Sequence, residues 1–358
     1  MLVSAVVSTC NARKFIRGRI KNLLEQTLYR KGELEIVVID SNSGEDEGGI
    51  VKELSSRYEH ILYLRTDRRE TVYGAWNRGI KISRGRYFIN ANTDDRFSGN
   101  GLEKLSQALE TEPEFAAAYG DWYYTLTEND RFSSSTPKEF YPYPDFYPPL
   151  LFYHQLTSHA LMIRRETFKE IGLFADAMEV CGDRDWVFRL AASGRKALHL
   201  KKTVGLYLKR GDSLERSRSD AANREFGQLL NVYMAPENFI HLVGRTEIPD
   251  NKELAKLYAK TGSLGINFLK KDESGVDSLP QQSLIFLRRA LALDQDNLMA
   301  VNNLAVAAAV QGGVEFAQME MAKLLKKDKI GEIDRLRVAQ NLSLIEAATR
   351  CFRDFFWY

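Results

Sequence analysis

From Val3 to Glu110 the chain alternates short β-rich apolar runs with helical stretches, a pattern that few folds accept. Val3 to Val7 precedes Phe15 to Glu25, Glu35 to Ile39 precedes Gly49 to Tyr58, Ile61 to Arg65 precedes Gly74 to Ser83, and Arg86 to Asn90 precedes Gly101 to Glu110. Runs rich in Val, Ile, Tyr and Phe predict strands, and the longer periodic segments predict helices. Four strand–helix units in succession predict an α/β fold whose mostly parallel sheet carries helices on both faces. Ligands in such sheets bind outside the carboxyl ends of the strands, so chemistry is expected in the polar residues that follow each strand.

Composition narrows the classes. The 358 residues, 44% hydrophobic and 27% charged, suit about two globular domains. Fifty Lys and Arg against 48 Asp and Glu leave a net charge of +2, without the basic footprint of a nucleic-acid binder. No segment approaches the roughly 18 apolar residues of a membrane span, and Met1 leads into Leu2 to Ser8 without a basic leader region. Cys10, Cys181 and Cys351 lie far apart with no C-x-x-C pair, which argues against a disulfide scaffold or zinc site and predicts a cytoplasmic protein.

Between Asn129 and His154 the pattern dissolves into Ser133-Ser134-Ser135, Pro137 and the run from Phe140 to Pro149, whose proline density predicts neither helix nor strand. Such a loop is either a binding loop or lid, or a cover for apolar surface. After residue 250 the chain reads as helix throughout, which places a catalytic-type domain at 1–240 and a helical one at 241–358. Ala290-Leu291 recurs as Leu324-Leu325, Leu287 as Met321 and Ser283 as Ala317, an interval of about 34 residues. With Leu304, Ala305, Ala308, Gly312 and Ala317 between them, this resembles a tetratricopeptide repeat, although Gln295 stands at the usual proline position and a generic helical bundle fits too. The repeat resemblance implies a protein partner or a second copy of the chain.

Four polar clusters follow the strands. Thr9-Cys10-Asn11 ends the first; Asp40-Ser41-Asn42-Ser43-Gly44 ends the second, where a carboxylate before small residues either accepts hydrogen bonds from a nucleoside or forms an ordinary turn and cap. Neither G-x-G-x-x-G nor G-x-x-x-x-G-K-[ST] follows the first strand, which disfavours dehydrogenases and NTPases. Asn92-Thr93-Asp94-Asp95 follows the fourth strand; the adjacent carboxylates suit Mg²⁺ or Mn²⁺, or decorate the helix start at Gly101. Gly182-Asp183-Arg184-Asp185-Trp186 opens a later helix, where a carboxylate is either a general base or a cap.

In order, these segments resemble a family 2 glycosyltransferase of the GT-A fold over roughly residues 2 to 220. The motifs that carry it are Val3 to Asn11, Glu35 to Ser43, Tyr73 to Ile80 with Gly85 to Ile89, Asn92-Thr93-Asp94-Asp95 in the place of D-x-D, and Gly182 to Trp186. The resemblance implies inverting transfer of a sugar from a UDP- or dTDP-linked donor to a glycan, lipid-linked or protein hydroxyl. A lipid-linked acceptor would bring the enzyme to the inner face of the membrane. It implies Asp183 as catalytic base, with Asp185 its competitor; Thr9, Asn11, Asp40, Asn77, Asn92 and Asp95 at the donor; and a divalent cation on Asp94. Tyr143 and Phe146, with Tyr141 and Tyr147, either stack on the acceptor or pack as a lid. Asn92 departs from D-x-D, and Arg210 stands where many relatives carry a histidine metal ligand; a guanidinium cannot ligate a metal but pairs with a diphosphate. Two rivals remain: a catalytically impaired scaffold working through the helical repeats, and a nucleotidyltransferase, which would usually carry glycine in Thr9 to Arg13.

Overall fold

The computed structural model describes residues 1–134, 136–157, 159–211, 217–271, 277–327, 330–347 and 355. Ser135 and Cys351, named above, lie outside them. The chain divides into two units, one of Met1–Pro148 with Gln155–Tyr233, the other of Pro149–His154 with Met234–Tyr358.

In the first unit, β1 (Val3–Thr9), β2 (Leu34–Asp40), β3 (Ile61–Arg65) and β4 (Tyr87–Asn90) pair in parallel in the order β3-β2-β1-β4. Every residue of β2 is buried, as a strand covered on both faces requires, and this explains its unbroken Ile-Val-Val-Ile run. Between the strands lie α1 (Arg13–Leu24), the single turn α2 (Thr27–Arg30), α3 (Glu47–Ser55) and α4 (Val72–Ile82). Asp46 caps α3 by accepting from the Gly49 amide, and Thr71 caps α4 by accepting from that of Gly74.

Beyond β4 the sheet is mixed. After β5 (Arg96–Phe97) and α5 (Gly101–Thr111), β6 (Ala117–Thr125) carries β7 (Glu139–Tyr141) antiparallel. β8 (Met162–Arg164) runs antiparallel to both β4 and β6, and β9 (Ala197–Leu208), after α6 (Thr167–Ile171) and α7 (Gly182–Ala192), runs parallel to β6 and antiparallel to β5. The helix α8 (Ser219–Tyr233) ends the unit. The proline-rich segment corrects the expectation of structureless chain. β7 forms just ahead of Pro142, and a 3₁₀ turn at Pro148–Phe152 tolerates its prolines because a first turn leaves those N–H groups unpaired anyway.

The second unit is helical: α9 (Pro236–Leu242), α10 (Asn251–Ser263), α11 (Gln281–Leu293), α12 (Leu298–Val310), α13 (Val314–Leu325) and α14 (Glu332–Glu346). A two-residue antiparallel pair, Lys270–Lys271 with Asp277–Ser278, interrupts the helix expected throughout. Phe152, Phe239, Tyr258 and Phe286 form its aromatic core. A buried polar chain crosses it, with Asn341 donating to Asn302, Asn302 to Asn303, and Asn303 to Ser263.

The Tyr73 to Ile80 motif owes its glycine to packing, since a Cβ on Gly79 would fall 2.4 Å from a methyl carbon of Val6 in β1. Gly79→Ala is expected to cost about 1 to 3 kcal/mol by overpacking, read as a lower denaturation midpoint, whereas Gly99→Ala, which meets open space, should change little.

Candidate active site at the strand ends

Thr9 and Asp40 are register partners at the ends of β1 and β2, and both strands leave the sheet through an asparagine with φ of 53°, Asn11 and Asn42. That left-handed conformation is one asparagine tolerates better than most side chains. The two loops are stitched together: Asn11 Oδ1 accepts from the Gly44 amide at 2.7 Å, and the Asn11 amide donates to Ser43 Oγ at 3.1 Å. Beneath them, buried Glu47 accepts through Oε1 from the Ala12 amide and the Ser43 hydroxyl, both at 2.8 Å, and more distantly from Thr9. Asp40 is fully enclosed. Its Oδ1 accepts from the Ser43 amide at 2.8 Å, and its Oδ2 from the Tyr63 hydroxyl at 2.7 Å and Arg65 Nη1 at 3.1 Å. Burial alone would raise its pKa, but these donors outweigh burial and hold it below the usual carboxylate value.

At the end of β4 the balance is reversed. The carboxylate of Asp95 is buried, with long hydrogen bonds among the described residues, from the Leu208 amide at 3.4 Å and Asn92 at 3.5 Å, and burial together with neighbouring Asp94 pushes its pKa up. Arg19 and Arg96, both buried, donate to its main-chain carbonyl at 3.0 and 2.6 Å. Burial draws both guanidinium pKa values down. Asp94 is about a fifth exposed and meets Arg210 Nη2 at 3.1 Å, while the guanidinium of Arg210 lies 5.0 Å over the ring of Phe15. No group of three His, Cys, Asp or Glu side chains suited to a metal occurs among the described residues. Asp94, the exposed member of the pair, already carries a cationic partner. This donor set does not fit a resident divalent cation.

Asp183 stands in the first turn of α7 and lines a small pocket with Trp76, Asn90, Thr157, His159, Leu161, Phe174 and Val187. Its Oδ1 accepts from the Arg184 amide at 2.8 Å and lies 3.0 Å from the Tyr73 hydroxyl; Gln155 approaches Oδ2 at 3.5 Å. Tyr73 also reaches the carbonyl of Val180, and its single proton serves one acceptor at a time. Burial pushes the Asp183 carboxyl above its ordinary value despite these donors. Gly182 lets α7 start against Tyr73, where a Cβ would lie 2.6 Å from the ring. The segment before it is fixed by Glu225 of α8, buried, which accepts from the amides of Glu179, Val180 and Cys181 at 2.7 to 3.0 Å. Opposite, burial pushes His159 down to about 3, so it is neutral, stacked on Tyr207 at 3.6 Å.

Other expected site residues are engaged elsewhere. The side-chain amide of Asn77 both donates to and accepts from the main chain of Phe174, at 2.8 and 3.0 Å, and so braces the pocket wall. Asp185 pairs with Arg189 one turn on, at 2.8 Å, and Arg189 in turn binds the carbonyls of Ile171 and Leu173. Tyr143 is buried against Tyr141 and His159, with its amide on Asp121. Phe146 is half-buried and Tyr147 about half exposed. Glu47, Tyr63, Arg65, Tyr73 and Glu225 were not singled out from sequence; Tyr73 lies inside a motif, but nothing local distinguishes Glu225.

This sheet, with its parallel β3-β2-β1-β4 half and antiparallel continuation, is the GT-A glycosyltransferase fold. Residues 4–172, just under half of the chain, match the family model described as Glycosyl transferase family 2. The chain is 24% identical over 172 residues to the uncharacterized glycosyltransferase MJ1057 of Methanocaldococcus jannaschii, covering 48% of this chain and 58% of that protein. It is 26% identical over 122 residues to UDP-Glc:alpha-D-GlcNAc-diphosphoundecaprenol beta-1,3-glucosyltransferase WfaP of Escherichia coli, covering 34% and 46%. The chain thus spans about half the length of these curated relatives. A mannosyltransferase from Pyrobaculum calidifontis, solved with GDP-Man and Mn²⁺, shares the fold at a TM-score of 0.50 and 14% identity, over 97% of this chain and 85% of that one. No helix among the described residues is long and apolar enough to cross a membrane.

Because the folded state lowers the pKa of Asp40, the ionised group stabilises the fold above its unfolded value, and that contribution disappears as pH falls through the lowered folded value. Asp40→Asn is therefore expected to lose about 1.5 to 3 kcal/mol at pH 7. The gap to the unsubstituted protein should close in acid below pH ~4, as followed by urea denaturation at a series of pH values.

Proposed function

We propose that this protein transfers a sugar, with inversion, from a nucleoside-diphosphate donor to the hydroxyl of a glycan, lipid-linked or protein acceptor. The observation that carries the reading is Asp183, a carboxylate at a pocket wall whose environment raises its proton affinity. A general base works best with a pKa near the working pH, and burial moves an aspartate in that direction. Asp183 takes the proton from the acceptor hydroxyl while that oxygen attacks the anomeric carbon from the face opposite the leaving diphosphate. Asp185, held by Arg189, is not free to compete for this role.

The nucleoside end of the donor is assigned to the stitched loops after β1 and β2. Thr9 and Asn11 form one wall there, and Asp40 shapes the other through Ser43 and Arg65, both its oxygens being already occupied. The sugar-diphosphate end is assigned to Asn92, Asp94, Asp95 and Arg210 after β4. WfaP is named for a UDP-sugar and the Pyrobaculum enzyme was solved with a GDP-sugar, so uridine, thymidine and guanosine donors form the panel to test. The scaffold alternative gains nothing from a pocket that keeps its carboxylate.

Titration calorimetry with UDP, dTDP and GDP and their common sugars tests this without an acceptor. One nucleotide series should bind, and Asp183→Asn should bind it within about twofold while turnover falls about 10²- to 10⁴-fold. Since the base must be unprotonated to act, turnover should rise with pH through a value above the ordinary aspartate range. Silence from every nucleotide at millimolar concentration would remove the reading.

A further inference from the structure

We propose that Arg210 takes the place of a divalent cation at the leaving group, so that transfer by this chain needs no metal; the inference rests on the transfer reading above. Arginines from α1, β5 and the segment after β9 surround the loop after β4. Arg210 grips Asp94 at 3.1 Å, with its guanidinium held over the ring of buried Phe15. Behind the same loop, Arg19 and Arg96 both donate to the carbonyl of Asp95, and Nε and Nη2 of Arg19 are buried with no hydrogen-bond partner among the described residues. Three guanidinium groups thus lie around the two carboxylates of this loop. Such a field repels a second, doubly charged cation and attracts a diphosphate.

Asp94 in this arrangement is a positioning residue: it holds Arg210, a quarter exposed, at the loop after β4. A guanidinium has five N–H donors, so one nitrogen can stay on Asp94 while others meet phosphate oxygens. In the step itself, the bond from acceptor oxygen to anomeric carbon forms and the bond from that carbon to the phosphate oxygen breaks. The electron pair leaves with the diphosphate, the acceptor proton passes to Asp183, and the charge gathering on the leaving oxygen is met by Arg210. Preorganised cations aimed at a leaving phosphate are an established source of rate, and arginine serves without a metal's coordination needs.

The test uses the full chain, dialysed against EDTA, with calorimetric binding of the nucleoside diphosphate found above and release of that diphosphate from its sugar as readouts. Binding and turnover should stay within about twofold of their values with added Mn²⁺. Arg210→Ala should lower turnover about 10²- to 10³-fold, without recovery on adding Mn²⁺. Arg210→Lys, which keeps the charge but not the fork, should recover part of the loss and guards against a misfolded alanine variant. Turnover that vanishes in EDTA and returns with Mn²⁺, or an Arg210→Ala protein as active as the original, overturns the inference while leaving the transferase reading intact. Failure of every nucleoside diphosphate to bind, with or without metal, overturns both.

Discussion

A carboxylate taken out of water must be compensated, and the candidate site is organised by how that cost is met at three aspartates. Asp40 receives an amide, a phenol and a guanidinium, and its donors outweigh burial. Asp95 and Asp183 receive weaker or shared donors, and burial wins. One residue type at neighbouring strand ends and helix starts therefore provides a fixed anion that holds loops and an acid–base group that can exchange a proton. The direction of each shift follows from the count and length of its hydrogen bonds.

The fold supplies those differences through a few long-range ties. Glu47 joins the loops after β1 and β2, Asn77 pins the Phe174 backbone to α4, and Glu225 collects three successive amides ahead of α7. Each is a buried polar group with at least one backbone partner, so each fixes chain position. Loss of any one would strand buried donors at about 1 to 3 kcal/mol apiece. Two close approaches, Gly79 on Val6 and Gly182 on Tyr73, set α4 against β1 and α7 against α4. The raised proton affinity of Asp183 is thus a property of packing far from its own place in the chain.

Much of this was legible in the sequence, because strands β1 to β4 are local events. Their apolar runs and the polar residues that end them lie within a few positions of one another, which points to Thr9, Asp40 and Asp94, whereas Asp183, at a helix start, stands out only through the family resemblance. What escaped notice was partnership over distance. Asp40 reads as an open carboxylate until Tyr63 and Arg65 of β3 are placed beside it, and nothing near Tyr143 in the sequence announces His159, whose ring packs edge-on against it. The strand β7 was hidden by the prolines that follow it, which end the strand but do not prevent it. Glu225, on a helix that carries no motif, could not have been chosen among the other acidic residues of the chain.

The most direct measurement is proton NMR of the anomeric signal during transfer from the donor that binds, observed on the first product formed. With Asp183 as base and attack opposite the diphosphate, an α-linked donor should give a β-linked product, and Asp183→Asn should give none in the same time. An α-linked first product, or equal product from Asp183→Asn, would contradict the account.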